Sequence, residues 1–303
     1  MKNKALKRLI CGLAALLLCF SLSSFKLVPT VKQDTLVNKG FKLKTIIIDP
    51  GHGGEHPDAK GHYSHGASGD YSHERDVTLA IGFKLQAAIE KEVTAVKAIM
   101  TRTTDEDVDW QKRADIANQN KGDLFISIHC NAMPDKKVRE KVGTKNHKAV
   151  YKTVSIPDHT GRGVLMLVYG LPRSKEEDNA IKHTQIAAEE EETDSTLDPN
   201  DPVTVILTNE YKKKFRKQSI NIANLINNEF VEVDGRHSNG VIEQGVLVLC
   251  HSAMPSVLVE TGFIDNPDDE AYLNSETGQN EIVASIVRAI KKYRDEVEQV
   301  VEQ

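Results

Sequence analysis

The sequence predicts an α/β protein, a single domain with a central, mostly parallel sheet flanked by helices and carrying an irregular insertion. Predominantly apolar runs at residues 45–48 and 124–128 are typical of strands that are buried on both faces of a parallel sheet. Between them, residues 75–92 repeat apolar side chains every three or four positions, which indicates an amphipathic helix. This alternation of strand and helix favours a parallel sheet.

The remaining elements extend the same pattern. We expect strands at residues 45–48, 96–100, 124–128, 164–169, 246–249 and 257–259, and helices at 75–92, 110–120, 211–230 and 277–300. Core strands lie on both sides of residues 133–209, where regular patterning is lost. We therefore predict one catalytic domain over residues 44–300 with an insertion at 133–209, preceded by a polar lead-in at 24–43.

The first 23 residues have the pattern of a secretory signal peptide. Four basic residues precede an apolar run of 14 residues at 9–22, and the small residues Ser21 and Ser23 flank the last residue of that run. The run is shorter than the ~20 residues of a membrane-spanning helix. We expect an exported protein, periplasmic or extracellular, without a stable membrane span. Acylation at Cys19 and an uncleaved anchor are the open alternatives.

Composition excludes several classes of function. The chain has 303 residues, 44 acidic against 39 basic side chains and a net charge of −5, so nucleic acid is not an expected partner. Its apolar content of 39% excludes a disordered chain and a polytopic membrane protein. We expect a monomer. Beyond the leader the cysteines are Cys130 and Cys250, which form either two buried thiols or one disulfide.

Candidate metal ligands stand where predicted strands end. His52, His129 and Glu260 each follow a buried run, and Glu74 directly precedes the first helix. The carboxyl ends of strands form the ligand-binding edge of an open α/β sheet. Two imidazoles and one carboxylate are a common ligand set for catalytic zinc. Spacing alone is weak support, because the intervals match no short metal motif and strand-end histidines are often structural.

The sequences around these residues are a more specific indication of function than the spacing between them. They read IIIDPGHGG at 46–54, ERDVTLA at 74–80, RADIAN at 113–118, LFISIHCNA at 124–132 and PSVLVETGFIDN at 255–266. Together, and in this order, they resemble the zinc-dependent N-acetylmuramoyl-L-alanine amidases, which hydrolyse the bacterial cell wall. The resemblance implies a single α/β domain and peptidoglycan as substrate. It also implies one Zn²⁺ per chain on His52, Glu74 and His129, with Glu260 as the catalytic carboxylate.

These residue types suit amide hydrolysis. Zinc lowers the pKa of a bound water from 15.7 toward ~7, and a carboxylate such as Glu260 can move the proton to the departing amine. A catalytically idle wall-binding or regulatory protein on the same fold, and a zinc peptidase, are the alternative functions. Arg102 and Arg113 either hold substrate carboxylates or form ion pairs with Asp105 and Asp115.

The insertion suggests regulation. Some members of the family that this chain resembles restrain their site with an inserted helix, and residues 174–192 occupy the matching interval. Glu190, within four consecutive glutamates, is the candidate to reach the open position on the zinc. An activator protein acting on the insertion would relieve this self-inhibition. A solvated acidic loop, or a groove wall whose lysines at 136–145 attract anionic wall polymers, are the alternatives.

Overall fold

A computed structural model describes residues 41–55, 64–145, 148–170, 174–186 and 201–299. Residues 42–299 belong to one compact unit. The predicted signal peptide, nearly all of the lead-in, and Glu190 lie outside the described residues. None of the described helices is both long and apolar enough to cross a membrane.

A six-stranded sheet forms the centre of the domain. Its strands in chain order are β1 (Thr45–Pro50), β2 (Lys97–Met100), β3 (Leu124–Asn131), β6 (Val164–Tyr169), β7 (Ser238–Gln244) and β8 (Ser256–Phe263). Their spatial order is β2-β1-β3-β8-β6-β7. Strands β2, β1, β3 and β8 run parallel to one another, whereas β6 is antiparallel to β8 and parallel to β7. The predicted mostly parallel α/β fold is confirmed.

Helices cover both faces of this sheet. They are α1 (Glu74–Glu92), α2 (Trp110–Gln119), α3 (Ser174–Ile181), α4 (Pro202–Asn228), α5 (Leu247–Cys250), α6 (Pro267–Asn274) and α7 (Glu276–Gln299). Helices α1, α4 and α7 pack together on one face. Helices α2 and α5 cover the other, where Ile47, Phe125 and Leu258 contribute to the core. Both faces of the central strands are therefore buried, which explains their continuous apolar sequences.

One predicted strand is wrong. Residues 247–249 fall in the short helix α5 and Val246 is its N-cap, with the Cys250 N–H donating to the Val246 carbonyl across the turn. A four-residue apolar run fits a buried helical turn as well as a strand. The strand in this region is instead β7, an edge strand with polar and half-exposed residues, whose sequence has no apolar run to reveal it.

Helix α4 starts earlier than the predicted residue 211. The Asp201 carboxylate accepts a hydrogen bond from the Val203 N–H, and Pro202 occupies the first turn. An aspartate cap followed by proline is a strong helix start. At the other end, a π-helical turn at Glu229–Val233 continues the helix beyond Asn228.

The interval 133–209 contains regular secondary structure. It begins with an antiparallel hairpin of β4 (Lys136–Lys145) and β5 (Lys148–Ile156), which is exposed along almost its whole length. The following strand β6 is mostly buried and lies beside β8 in the central sheet. The predicted strand at 164–169 is therefore present, and its apolar side chains complete the core of the central sheet.

Candidate active site

Parallel strand pairing brings the predicted ligands together at one edge of the sheet. His129 and Glu260 are direct register neighbours on β3 and β8, so their side chains project from the same face. His52 follows the end of β1, and Glu74 is the first residue of α1. All four of these sequence-predicted residues therefore lie around the carboxyl ends of the parallel strands.

Three of these residues form a compact donor cluster. Possible ligand atoms of His52, Glu74 and His129 all lie within 4.8 Å of one another. Glu74 Oε1 is 3.3 Å from His52 Nε2 and 3.0 Å from His129 Nδ1. The two imidazole rings meet edge to face, with their centroids 4.9 Å apart. Two imidazole nitrogens and a carboxylate oxygen suit Zn²⁺, and this spacing lets one ion contact all three.

Backbone hydrogen bonds orient the central carboxylate. Glu74 Oε1 accepts from the Cys130 N–H at 2.9 Å, and Oε2 accepts from the Ala67 N–H at 2.7 Å. Burial opposes ionisation of Glu74, but hydrogen bonds to His129 and His52 outweigh it and hold its pKa far below the ordinary value. Glu74 is therefore an ionised, fixed carboxylate.

The loop after β1 requires glycine beside the histidine. His52 has a left-handed backbone conformation, with φ of 58°, and its Nδ1 lies 2.7 Å from Ser64 Oγ. A Cβ on Gly51 would stand 2.3 Å from the imidazole of His129, closer than packed atoms approach. The glycine before His52 thus lets the two imidazoles share one site.

Glu260 lies beside this cluster with unused bonding capacity. Its Oε2 is buried and has no hydrogen-bond partner among the described residues. Burial raises the pKa of Glu260 to about 7, although nearby His129 lowers it in part. Buried polar atoms are normally satisfied, so an orphaned carboxylate oxygen beside a metal-capable cluster is typical of a group that acts on a bound molecule.

The two arginines brace the loop that carries His52. The Arg102 guanidinium donates to the carbonyls of Pro50 and Gly51, each at 2.9 Å, and to that of Arg75 at 2.7 Å. Burial lowers the pKa of Arg102 to about 10. Asp105, its predicted ion-pair partner, lies 3.5 Å from Arg75 instead and attracts Arg102 only at longer range.

Arg113 forms a buried ion pair with a different partner from the predicted Asp115. Its Nη1 is 2.8 Å from Asp49 Oδ1, and its Nη2 is 3.1 Å from Asp107 Oδ1 and donates to the His52 carbonyl. Asp115 accepts from Gln111 on the same helix. Both arginines are bound mainly by the protein itself, which favours structural support over substrate binding.

The two cysteines are buried and are not joined by a disulfide. Burial raises the pKa of Cys130 well above its ordinary value. Its Sγ lies 3.6 Å from the hydroxyl of Thr261, which in turn donates to the His129 carbonyl. Of the two alternatives, the buried thiols are the ones observed.

A cleft of about 730 Å³ opens beside the histidines. Its walls include the loop before α2, the first residue of that helix, Trp110, and the segment between β7 and α5.

The sequence analysis did not single out Trp110, although a lone tryptophan between acidic residues and a helix start was a visible signal. It also missed Glu270, whose carboxylate accepts from the N–H groups of residues 70–72 and so holds the loop that precedes Glu74.

The fold and the site together define a class of protein. A His–Glu–His cluster and a buried carboxylate at the carboxyl edge of a parallel sheet are the residue set of a metal-dependent hydrolase. Comparison with known proteins agrees. The family profile described as N-acetylmuramoyl-L-alanine amidase matches residues 46–292. The chain belongs to the N-acetylmuramoyl-L-alanine amidase family.

Individual relatives are consistent with this assignment. The chain is 31% identical over 271 residues to the amidase AmiC of Escherichia coli. The aligned region covers 88% of this chain but only 57% of AmiC. It is 27% identical to AmiA of Salmonella typhimurium, over 93% of this chain and 89% of AmiA. Among solved structures, AmiC2 of Nostoc punctiforme superposes with a TM-score of 0.53 and 25% identity, over 84% of this chain and 98% of that chain.

Proposed function

We propose that this chain is a zinc-dependent amidase that hydrolyses the bond between the lactyl group of N-acetylmuramic acid and L-alanine in peptidoglycan. The observation that carries the proposal is the position of Glu260. Its unpartnered carboxylate oxygen is buried beside the cluster of His52, Glu74 and His129. Family membership supports the choice of substrate bond.

The donor set fits zinc. Two imidazoles and one carboxylate leave a coordination position for water or substrate. Bound zinc would lower the pKa of a water molecule and polarise the scissile carbonyl. Hydrogen bonds from Cys130 and Ala67 fix the Glu74 carboxylate, and Ser64 orients the His52 ring through Nδ1. These hydrogen bonds to the ligand side chains hold the ligand atoms in place before a metal ion binds.

Glu260 supplies the proton transfer. As an ionised carboxylate it accepts a proton from the attacking water, and as an acid it delivers that proton to the departing amine nitrogen of L-alanine. Burial raises the pKa of Glu260, and a bound Zn²⁺ would oppose this shift, so the ionised form that accepts the proton of the water is favoured in the loaded enzyme. An amide nitrogen leaves readily only once it is protonated, so one carboxylate serves both halves of the reaction.

We also propose that the protein acts after export, in the periplasm or outside the cell, in contact with the cell wall. The signal-peptide pattern of residues 1–23 supports this location. Self-inhibition by Glu190, and its relief by an activator protein, stay predictions, because that segment lies outside the described residues.

Digestion of purified peptidoglycan tests the function. The zinc-loaded protein is expected to release stem peptides that begin with a free L-alanine amine and to leave glycan strands whose muramic acid residues carry free lactyl carboxylates. Mass spectrometry identifies both termini. Protein stripped with a chelator is the control and should be inactive until zinc is returned. New termini at any other bond, or none, would contradict the proposal.

A further inference from the structure

The single tryptophan of the chain stands in the wall of the active-site cleft. Trp110 is the first residue of α2, and 39% of its surface is exposed. Tryptophan is usually buried to a greater extent, and an exposed aromatic ring in a concave site is typical of ligand contact. The ring also contacts the imidazole of His251, with centroids 4.8 Å apart, so it is supported by the protein.

The cleft around Trp110 is partly aliphatic. Val246, Val248 and Leu258 line the same cavity. Val248 and Leu258 also belong to the buried core, so this part of the wall is rigid rather than adaptable. An aromatic ring and fixed aliphatic side chains together offer an apolar surface to a flat, uncharged ligand.

Charge selects between the two parts of a peptidoglycan substrate. Asp107 and Asp109 line the cleft near Trp110. Arg113 is the one lysine or arginine among the described residues that line it, and its guanidinium is engaged by Asp49 and Asp107. Stem peptides carry free carboxylates, for which the described side chains that line the cleft offer no unengaged lysine or arginine. The glycan strand is uncharged once its lactyl groups are amidated.

We propose that Trp110 is a sugar-binding residue that stacks on a pyranose ring of the glycan strand. The inference rests on the proposed function and assigns the glycan to the Trp110 side of the cleft. A β-linked N-acetylated sugar presents a face of C–H groups to an aromatic ring. Its acetyl methyl group suits the neighbouring valines. Sugar binding here orients the muramoyl lactyl amide without contributing a group to the chemistry.

Fluorescence excited selectively at tryptophan tests the contact directly, because the chain has one tryptophan. The zinc-loaded chain is titrated with a soluble β-1,4-linked N-acetylglucosamine oligomer, and in parallel with the free stem peptide. We expect a saturable change in Trp110 emission with the glycan and none with the peptide. A saturable change with the peptide alone, or no change with the glycan, would overturn the assignment.

Steady-state kinetics on soluble glycan fragments that carry stem peptides gives a second measure. Trp110→Ala is expected to raise KM ~10-fold with kcat within ~2-fold, since stacking binds ground state and transition state alike. Trp110→Tyr should recover most of the loss. Phe83→Ala is the matched control, because Phe83 is an aromatic residue of similar exposure, 43%, on α1 outside the residues that line the cleft.

The two proposals fail in different ways. If wild-type protein cleaves no bond in peptidoglycan, the proposed function fails, and the glycan titration still decides whether Trp110 binds sugar. If wild type is active and Trp110→Ala has an unchanged KM, the sugar-binding role is wrong and the amidase assignment stands. An equal loss of zinc content or folding in the Ala and Tyr variants would assign Trp110 to structure instead.

Discussion

Replacing Arg113 with methionine leaves one buried carboxylate without its cation. In the folded protein Arg113 Nη1 is 2.8 Å from Asp49 Oδ1, and the two residues are only 5% and 1% exposed. Methionine keeps much of the volume and removes the charge. Removing one partner of a buried pair typically costs ~3–5 kcal/mol, because the remaining charge is desolvated and uncompensated. We expect a loss of that size in the free energy of unfolding at neutral pH.

The difference in the free energy of unfolding between wild type and Arg113→Met should become smaller as the pH falls, because Asp49 becomes protonated. Burial opposes its ionisation, but Arg113, Thr101 and Ser127 lower its pKa below the ordinary 3.8. In wild type this carboxylate therefore contributes stability above about pH 3.8, which is lost as the pH falls through the folded-state pKa. Without Arg113, burial dominates and raises the pKa of Asp49, so the variant gains stability relative to wild type as the pH falls.

Urea unfolding followed by circular dichroism, near neutral pH and near pH 4, measures both effects. The double variant Asp49→Asn/Arg113→Met should recover a large part of the loss, because an amide is neutral. Arg216→Met is the matched control: Arg216 pairs with Glu243 while 57% exposed, and exposed pairs contribute at most ~1 kcal/mol. Equal losses at the two pH values, or in the two single variants, would refute the reasoning.

The other predictions concern the site and the insertion. His52→Ala or His129→Ala should reduce zinc from about one ion per chain, measured by elemental analysis, and full occupancy in both would contradict the ligand assignment. Glu260→Gln should keep zinc and folding but lower turnover at least ~10²-fold in a peptidoglycan release assay, whereas the same change at an exposed surface glutamate should not. Glu190→Ala should raise activity on purified wall if the insertion is self-inhibitory, and unchanged activity would favour a solvated loop. Serine at the basic positions of residues 136–145 should weaken sedimentation with anionic wall polymers at low salt, and unaltered binding would exclude that role.

Much of the fold followed from the sequence because the central strands are buried on both faces. Burial on two sides makes strands such as β1 and β3 continuous apolar runs, which are recognisable without a partner. The candidate ligands were predictable for a related reason. Parallel strands bring their carboxyl ends to one edge, so histidines that directly follow two such runs meet in space.

Other features depended on tertiary contacts. The apolar residues of α5 have no periodicity long enough to separate helix from strand, and packing against α2 and β8 decided their structure. Strand β7 pairs along the edge through its backbone, which leaves little trace in its side chains. The partners of Arg113 were missed because a long guanidinium reaches whichever oxygens the fold brings near, here Asp49 and the carbonyl of His52.

The sequence by itself therefore determined the class of fold and the family and predicted the four residues of the candidate site, since each is encoded in local runs and motifs. Only the tertiary structure decided what surrounds them. In the fold, one carboxylate oxygen of Glu260 has no hydrogen-bond partner among the described residues, and Arg113 forms an ion pair with Asp49. Trp110 and Val246 line the same cleft. Such relations join residues that are distant in the chain, and their energies depend on distance and burial, which no local pattern specifies.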